Sequence, residues 1–208
     1  MENLTKEQAL IILEEGAEKY NGKWVNHSKN VAIVAERLAE ALNLDKDKAY
    51  MYGLLHDIGR RVGTTGVRHG IDGYNYMKSI GQEEVARYCL THSFTVKDIS
   101  NILGKWDMTD EETKFVRNYL DNIEYTIYDR IVQLSDYMAT SNQITLVERR
   151  IVDVYLRYEF DIKSLKNWNI IFKIQAEIEE KLGYSIYKLF PEIKEDISKN
   201  MIKDVLEF

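Results

Sequence analysis

The chain has 208 residues, 45% apolar and 30% charged, with a formal net charge of −6. That length and balance suit one domain with a full core and exclude a disordered chain, while the acidic balance excludes an extended nucleic-acid surface and leaves Arg60, Arg61 and Arg68 as a local cluster for a single phosphate. The single cysteine, Cys89, excludes an intrachain disulfide and fits a reducing compartment. With no signal-peptide core and no run of about 18 apolar residues, the expectation is a cytoplasmic protein with no membrane partner.

Thr5-Lys6-Glu7-Gln8 reads as a capping box that opens a first helix running to about Lys19, where Asn21-Gly22 ends it. A second helix begins near Trp24. Its residues His27, Val31, Val34, Leu38 and Leu42 follow helical spacing, which places His27 on the apolar face. Asp45 is the expected N-cap of a third helix on which Ala49, Tyr52 and His56 share one stripe. Asp57 is the next residue round, about 100° further on. A carboxylate beside Leu54, Leu55 and Ile58 is costly to bury unless it is paired or bound to a cation.

Gly59, Gly63, Gly66, Gly70 and Gly73 punctuate the next stretch, expected as a glycine-rich loop. Two readings stand side by side: a plain connector, or a lid whose backbone N–H groups approach an anionic ligand. His69 stands just before a short helix, Ile71 to Ile80, closed by Gly81. Glu83 and Glu84 open the next helix, with Val85, Cys89 and His92 on one face and Cys89 read as a small core residue. A second capping box, Thr109-Asp110-Glu111-Glu112, starts a helix to about Asn122. Another runs from Ile127 to Thr140 with Val132, Asp136 and Ala139 inward. Helical patterns continue over 146–158 and 165–182, and Pro191 suits the first turn of a last helix.

All four histidines and two aspartates of this pattern are thus directed inward or toward a loop–helix junction, with too few inward cations to pair them. A divalent metal satisfies such a set together. Imidazole and carboxylate without thiolate point to Fe, Mn, Co, Ni or Zn rather than a structural zinc or a calcium cage.

The order His27, His56-Asp57, Asp136 resembles the HD superfamily of metal-dependent phosphohydrolases, and Leu55-His56-Asp57-Ile58-Gly59 matches its HDIG form. Arg68-His69-Gly70, Thr91-His92-Ser93 and Leu134-Ser135-Asp136-Tyr137 resemble further blocks, so the likeness spans 24 to about 142. The resemblance implies an all-α HD-domain bundle over 1–142 with a helical extension over 143–208 packed on it as one unit. It implies that His27, His56, Asp57 and Asp136 bind a first ion and that His69 and His92 support a second, with Asp57 bridging. The six-ligand set is similar to that of the two-metal bacterial dinucleoside tetraphosphate hydrolases. The chain departs from them at Gly59-Arg60-Arg61 and at Met138-Ala139-Thr140-Ser141.

The expected function is therefore hydrolysis of a phosphate ester or anhydride, in a small-molecule substrate such as a nucleotide or dinucleoside polyphosphate. Asp57, Arg60 and Arg61 are the expected catalytic residues, and Arg60, Arg61 and Arg68 the phosphate contacts, since guanidinium matches phosphate geometry. Homodimerisation is compatible with this pattern. A non-catalytic ligand sensor or scaffold, and a di-iron oxidative enzyme, are the alternatives.

Overall fold

The computed structural model describes residues 4–102, 104–157 and 162–194. Among the described residues nine α-helices follow one another: α1 Lys6–Lys19, α2 Lys23–Ala41, α3 Lys46–Leu55, α4 His69–Ser79, α5 Glu83–Thr91, α6 Asp110–Asn122, α7 Ile127–Asp136, α8 Val147–Arg157 and α9 Ile162–Leu182. Three short 3₁₀ turns, Ile58–Val62, Ile99–Asn101 and Ile186–Leu189, punctuate them. The described residues contain no strand, only an isolated antiparallel bridge between Ala139 and Ile144. The fold is all-α, as the sequence implies, and no described helix is long and apolar enough to cross a membrane.

Local chemistry explains the helix starts. Thr5–Gln8 and Thr109–Glu112 both form reciprocal capping boxes, and Asp45 accepts the N–H groups of Asp47 and Lys48. A third box, Thr126–Asp129, opens α7. Between α2 and α3, Asn43 takes a left-handed conformation with φ 57°, which asparagine tolerates better than most residues.

The core falls into three joined clusters. Val34, Leu38, Ile131 and Leu134 meet Val147, Ile171, Ile178 and Phe190, so residues beyond 142 bury apolar surface against α2 and α7. Leu13, Trp24, Leu54, Leu55, Ile58 and Met77 form a second cluster beneath α3. Ile71, Leu90, Val116 and Leu120 tie α6 to α4 and α5.

Two expected boundaries are corrected. The α7 helix ends at Asp136 instead of reaching Thr140, because the chain turns back: Thr145 N–H donates to Met138 O at 2.8 Å and Thr140 N–H to Gln143 O at 2.9 Å. The glycine-rich stretch is not one loop. Gly59 lies within the 3₁₀ turn Ile58–Val62, and Gly70 and Gly73 lie inside α4, leaving only 63–68 between them. The helix expected from Pro191 runs largely outside the described residues.

Candidate metal centre

Helix ends bring the predicted ligands together. His56 caps the C-terminus of α3 and Asp57 follows it; His69 opens α4; His92 caps the C-terminus of α5; Asp136 is the last residue of α7. His27 comes from the second turn of α2. A helix end lets a side chain point along the axis into a shared space, which a mid-helix residue packed sideways cannot do.

The separations are short. His27 Nε2 lies 2.9 Å from Asp136 Oδ1. His69 Nε2 lies 3.1 Å from Asp57 Oδ1 and 3.1 Å from His92 Nε2. His92 Nε2 is 3.7 Å from Asp57 Oδ1, and His56 Nε2 is 3.9 Å from Asp57 Oδ2. His27, His56 and Asp57 make one group able to hold an ion, and Asp57, His69 and His92 a second, with Asp57 common to both. With bonds of about 2.1 Å, two donors on one ion stand roughly 3.0 Å apart at right angles and roughly 3.4 Å at the tetrahedral angle. The closest pairs of this cluster fall in that range.

Protonation gives a stricter test of fit. The Nδ1 atoms of His56, His69 and His92 lie 2.7, 2.6 and 3.2 Å from the carbonyl oxygens of Gly53, Gly66 and Tyr88. A carbonyl only accepts, so each Nδ1 carries the proton, and in the neutral ring, the form a metal ligand takes, each Nε2 presents a lone pair. His56 Nε2 is buried with no hydrogen-bond partner. Acceptors therefore face acceptors, an arrangement that a cation satisfies and a hydrogen bond among these rings does not. The residues present fit a divalent metal.

The electrostatics agree. Burial lowers the His56 pKa and lowers that of His92 to about 3, so both rings stay neutral. Burial alone would raise the carboxylates. The Arg60 guanidinium nevertheless holds Asp57 well below the usual range, and the hydrogen bond from His27 holds Asp136 down. Neutral imidazole beside ionised carboxylate is the ligand-ready state.

The structure separates the three arginines. Arg60 Nε donates to Asp57 Oδ2 at 2.7 Å, at the edge of the cluster. Arg61 is buried, and its guanidinium lies 3.6 Å from the Tyr76 ring centre, engaged with α4. Arg68 forms a two-pronged bond to Glu112, both contacts 2.7 Å, and approaches Asp72 at 3.3 Å. The lid reading of 63–68 also changes: the N–H groups of Gly66 and Arg68 already donate to Asp107, and that of Val67 to Lys105 O. Amides committed to a carboxylate are not available to an anionic ligand.

Two further groups escaped the sequence reading. Arg150 on α8 stands 3.9 Å from Asp136 Oδ1 and 2.5 Å from Asp153 Oδ2. Its signal was a charge set between Val147 and Ile151 on the inward stripe of α8. Asp129, fully buried, accepts from Arg87, Thr91 Oγ1 and Thr126, fastening α5 to α7 next to His92. Its signal was the Thr126-to-Asp129 spacing of a capping box.

A family model described as "HD domain" matches residues 24–141, more than half of the chain. Among curated proteins, the chain is 38% identical over 66 residues to a protein named Ribonuclease Y from Chlorobium phaeovibrioides, covering 32% of this chain and 13% of that protein. A Ribonuclease Y from Chlorobium chlorochromatii is 37% identical over 65 residues, covering 31% and 12%, and one from Chlorobaculum tepidum is 35% identical over 66, covering 32% and 13%. The chain thus spans only a small part of the length of these relatives. No solved structure matches it.

Proposed function

This chain belongs to the HD domain family, and from that premise we propose that it is a metal-dependent phosphohydrolase acting on a phosphate ester or anhydride of a nucleotide. The observation that carries this reading is the acceptor-to-acceptor convergence of His56, His69 and His92 on Asp57, with His27 and Asp136 beside them. In the proposal His27, His56, Asp57 and Asp136 hold one ion, and Asp57, His69 and His92 hold another. When bound, two divalent ions supply a water of lowered pKa and neutralise charge on phosphoryl oxygens.

The chain's own groups do the rest. Asp57 is only 4% exposed and His56 1%, so the ligands are shielded from bulk water. The Asp136 side chain is 23% exposed, which makes its side of the cluster the open one. Arg150, 14% exposed, borders that side and would meet a phosphate arriving there. Arg60 orients Asp57 and keeps it anionic. Such positioning and charge neutralisation suit phosphoryl transfer. Dinucleoside polyphosphates are the leading substrates by the six-ligand resemblance. The relatives' name, Ribonuclease Y, supports hydrolysis at a nucleotide phosphate.

The test is metal analysis of the purified protein together with phosphate and nucleotide release, without oxygen, from dinucleoside polyphosphates, nucleoside monophosphates and short RNA. Metal-dependent release from the first group supports the proposal. Iron-dependent oxygen consumption with no phosphate release from any substrate would overturn it.

A further inference from the structure

The segment leading into α6 supplies none of the six ligands, yet it grips the loop that precedes His69. The N–H of Gly66 donates to Asp107 Oδ2 at 2.6 Å, and that of Arg68 to Asp107 Oδ1 at 2.8 Å. Val67 N–H donates to Lys105 O at 3.1 Å. Gly66 is held so closely that a Cβ on it would stand 2.1 Å from Lys105 O.

The same peptides face the metal centre with their carbonyl ends. The Thr65–Gly66 peptide gives its N–H to Asp107 and its oxygen to the Arg60 guanidinium, at 3.5 Å. The Gly66–Val67 peptide gives its N–H to Lys105 O and its oxygen to His69 Nδ1, at 2.6 Å. A planar peptide points its N–H and C=O in opposite directions, so fixing one end aims the other. The bond at Nδ1 then sets both the ring orientation and the tautomer of His69.

We propose that Asp107 is a positioning residue for the metal centre: by clamping the amides of Gly66 and Arg68, it aims the Thr65 carbonyl at Arg60 and fixes both neighbours of the Gly66–Val67 peptide, which Lys105 O holds with its carbonyl on Nδ1 of His69. This rests on the metal reading above. It assigns Asp107 to one half of the centre, the Asp57–His69–His92 group, since His27 and His56 have no bond to that loop among the described contacts.

The experiment titrates cobalt(II) into metal-free parent protein, Asp107→Ala, Asp107→Asn and a control, Leu13→Ala, whose lost contacts lie in the core beside α1. The parent should take up two ions. Asp107→Ala should keep one and bind the other about 10- to 100-fold more weakly, the usual effect of losing an outer hydrogen-bond partner. Asp107→Asn, which retains one acceptor oxygen, should lie between them and serves if the alanine variant fails to fold. Leu13→Ala should leave both affinities unchanged. Nitrogen NMR of the metal-free proteins gives a second readout: a single Nδ1–H tautomer of His69 in the parent, a mixture in Asp107→Ala. Parent-like titration and an unchanged tautomer in Asp107→Ala would overturn the role of Asp107. Weakening of both ions to the same degree would overturn its assignment to one half. A parent that takes up no metal would overturn the metal reading, while the tautomer comparison would still judge the clamp.

Discussion

His69 Nε2 and His92 Nε2 lie 3.1 Å apart, and each ring has its Nδ1 proton on a backbone carbonyl. With both rings neutral, as metal ligands are, two lone pairs face each other, with Asp57 Oδ1 3.1 Å from the first. Ser93 Oγ, 2.9 Å from His92 Nε2, offers one proton to this space, and a cation would satisfy the remaining acceptors together.

Replacing Asp57 by Asn separates that cost from that gain. An amide nitrogen facing His69 Nε2 turns one acceptor contact into a hydrogen bond. The metal-free Asp57→Asn protein should melt no lower than the metal-free parent. It should lose the rise in melting temperature that the parent shows on adding manganese or cobalt. A variant stabilised by metal as much as the parent would remove Asp57 from the centre.

Acid should destabilise the metal-free protein. The folded-state pKa of His92, lowered by burial to about 3, lies below its ordinary 6.5, so between these values the unfolded chain binds a proton that the folded chain refuses. Stability falls as pH drops below about 6.5. Asp57 and Asp136, held below the ordinary 3.8, add a further loss as pH falls through the carboxylate range. The metal-free melting temperature at pH 5 should be lower than at pH 7. A flat profile between those values would contradict the buried neutral state of His56 and His92.

The arginines should divide by position. Arg60→Ala and Arg150→Ala should each raise KM for a highly charged substrate by about 10-fold or more, as loss of a charged contact does. Arg61→Ala should leave KM unchanged and cost about 1 kcal/mol of stability through the lost stacking on Tyr76. Steady-state kinetics and melting curves on the three single variants decide this. A KM effect confined to Arg61→Ala would reverse the assignment.

Arg87→Ala should be among the most damaging substitutions away from the ligands. It strips the guanidinium from Asp129, which is fully buried, and removal of one partner of a buried pair costs about 3–5 kcal/mol. Urea denaturation measures it. A loss under about 1 kcal/mol would show that Thr91 and Thr126 suffice to hold that carboxylate.

Gly59→Ala tests the close packing of the turn after Asp57. The added Cβ would stand 1.9 Å from His69 O and 2.5 Å from Gly73 N, both backbone atoms that move only with α4. Loss of stability with weakened cobalt binding is expected, because His69 would be pushed away from Asp57. Normal cobalt affinity in this variant would mean that α4 can shift without carrying its ligand.

The sequence by itself placed the helices that carry His27, His56, His92 and Asp136 and the inward face of each, though not where α7 ends. Capping boxes at Thr5 and Thr109, and the spacing of His27, His56 and His92 against their apolar neighbours, depend on residues within one or two turns. Glycine roles were not legible in that way. Gly59 and Gly66 are small because a backbone from elsewhere in the chain passes within contact of each, and no local pattern records that approach. The same holds for charge: Arg60, Arg61 and Arg68 look alike in sequence. The packing of α4 and α6 gave Arg61 to Tyr76 and Arg68 to Glu112, whereas Arg60 reaches back only three residues to Asp57. Arg150 and Asp107 reach the centre across 14 and 38 residues from Asp136 and His69, a proximity created by tertiary packing alone. Periodicity fixes which face of a helix is buried; what it is buried against is decided by the long-range packing of all the faces at once.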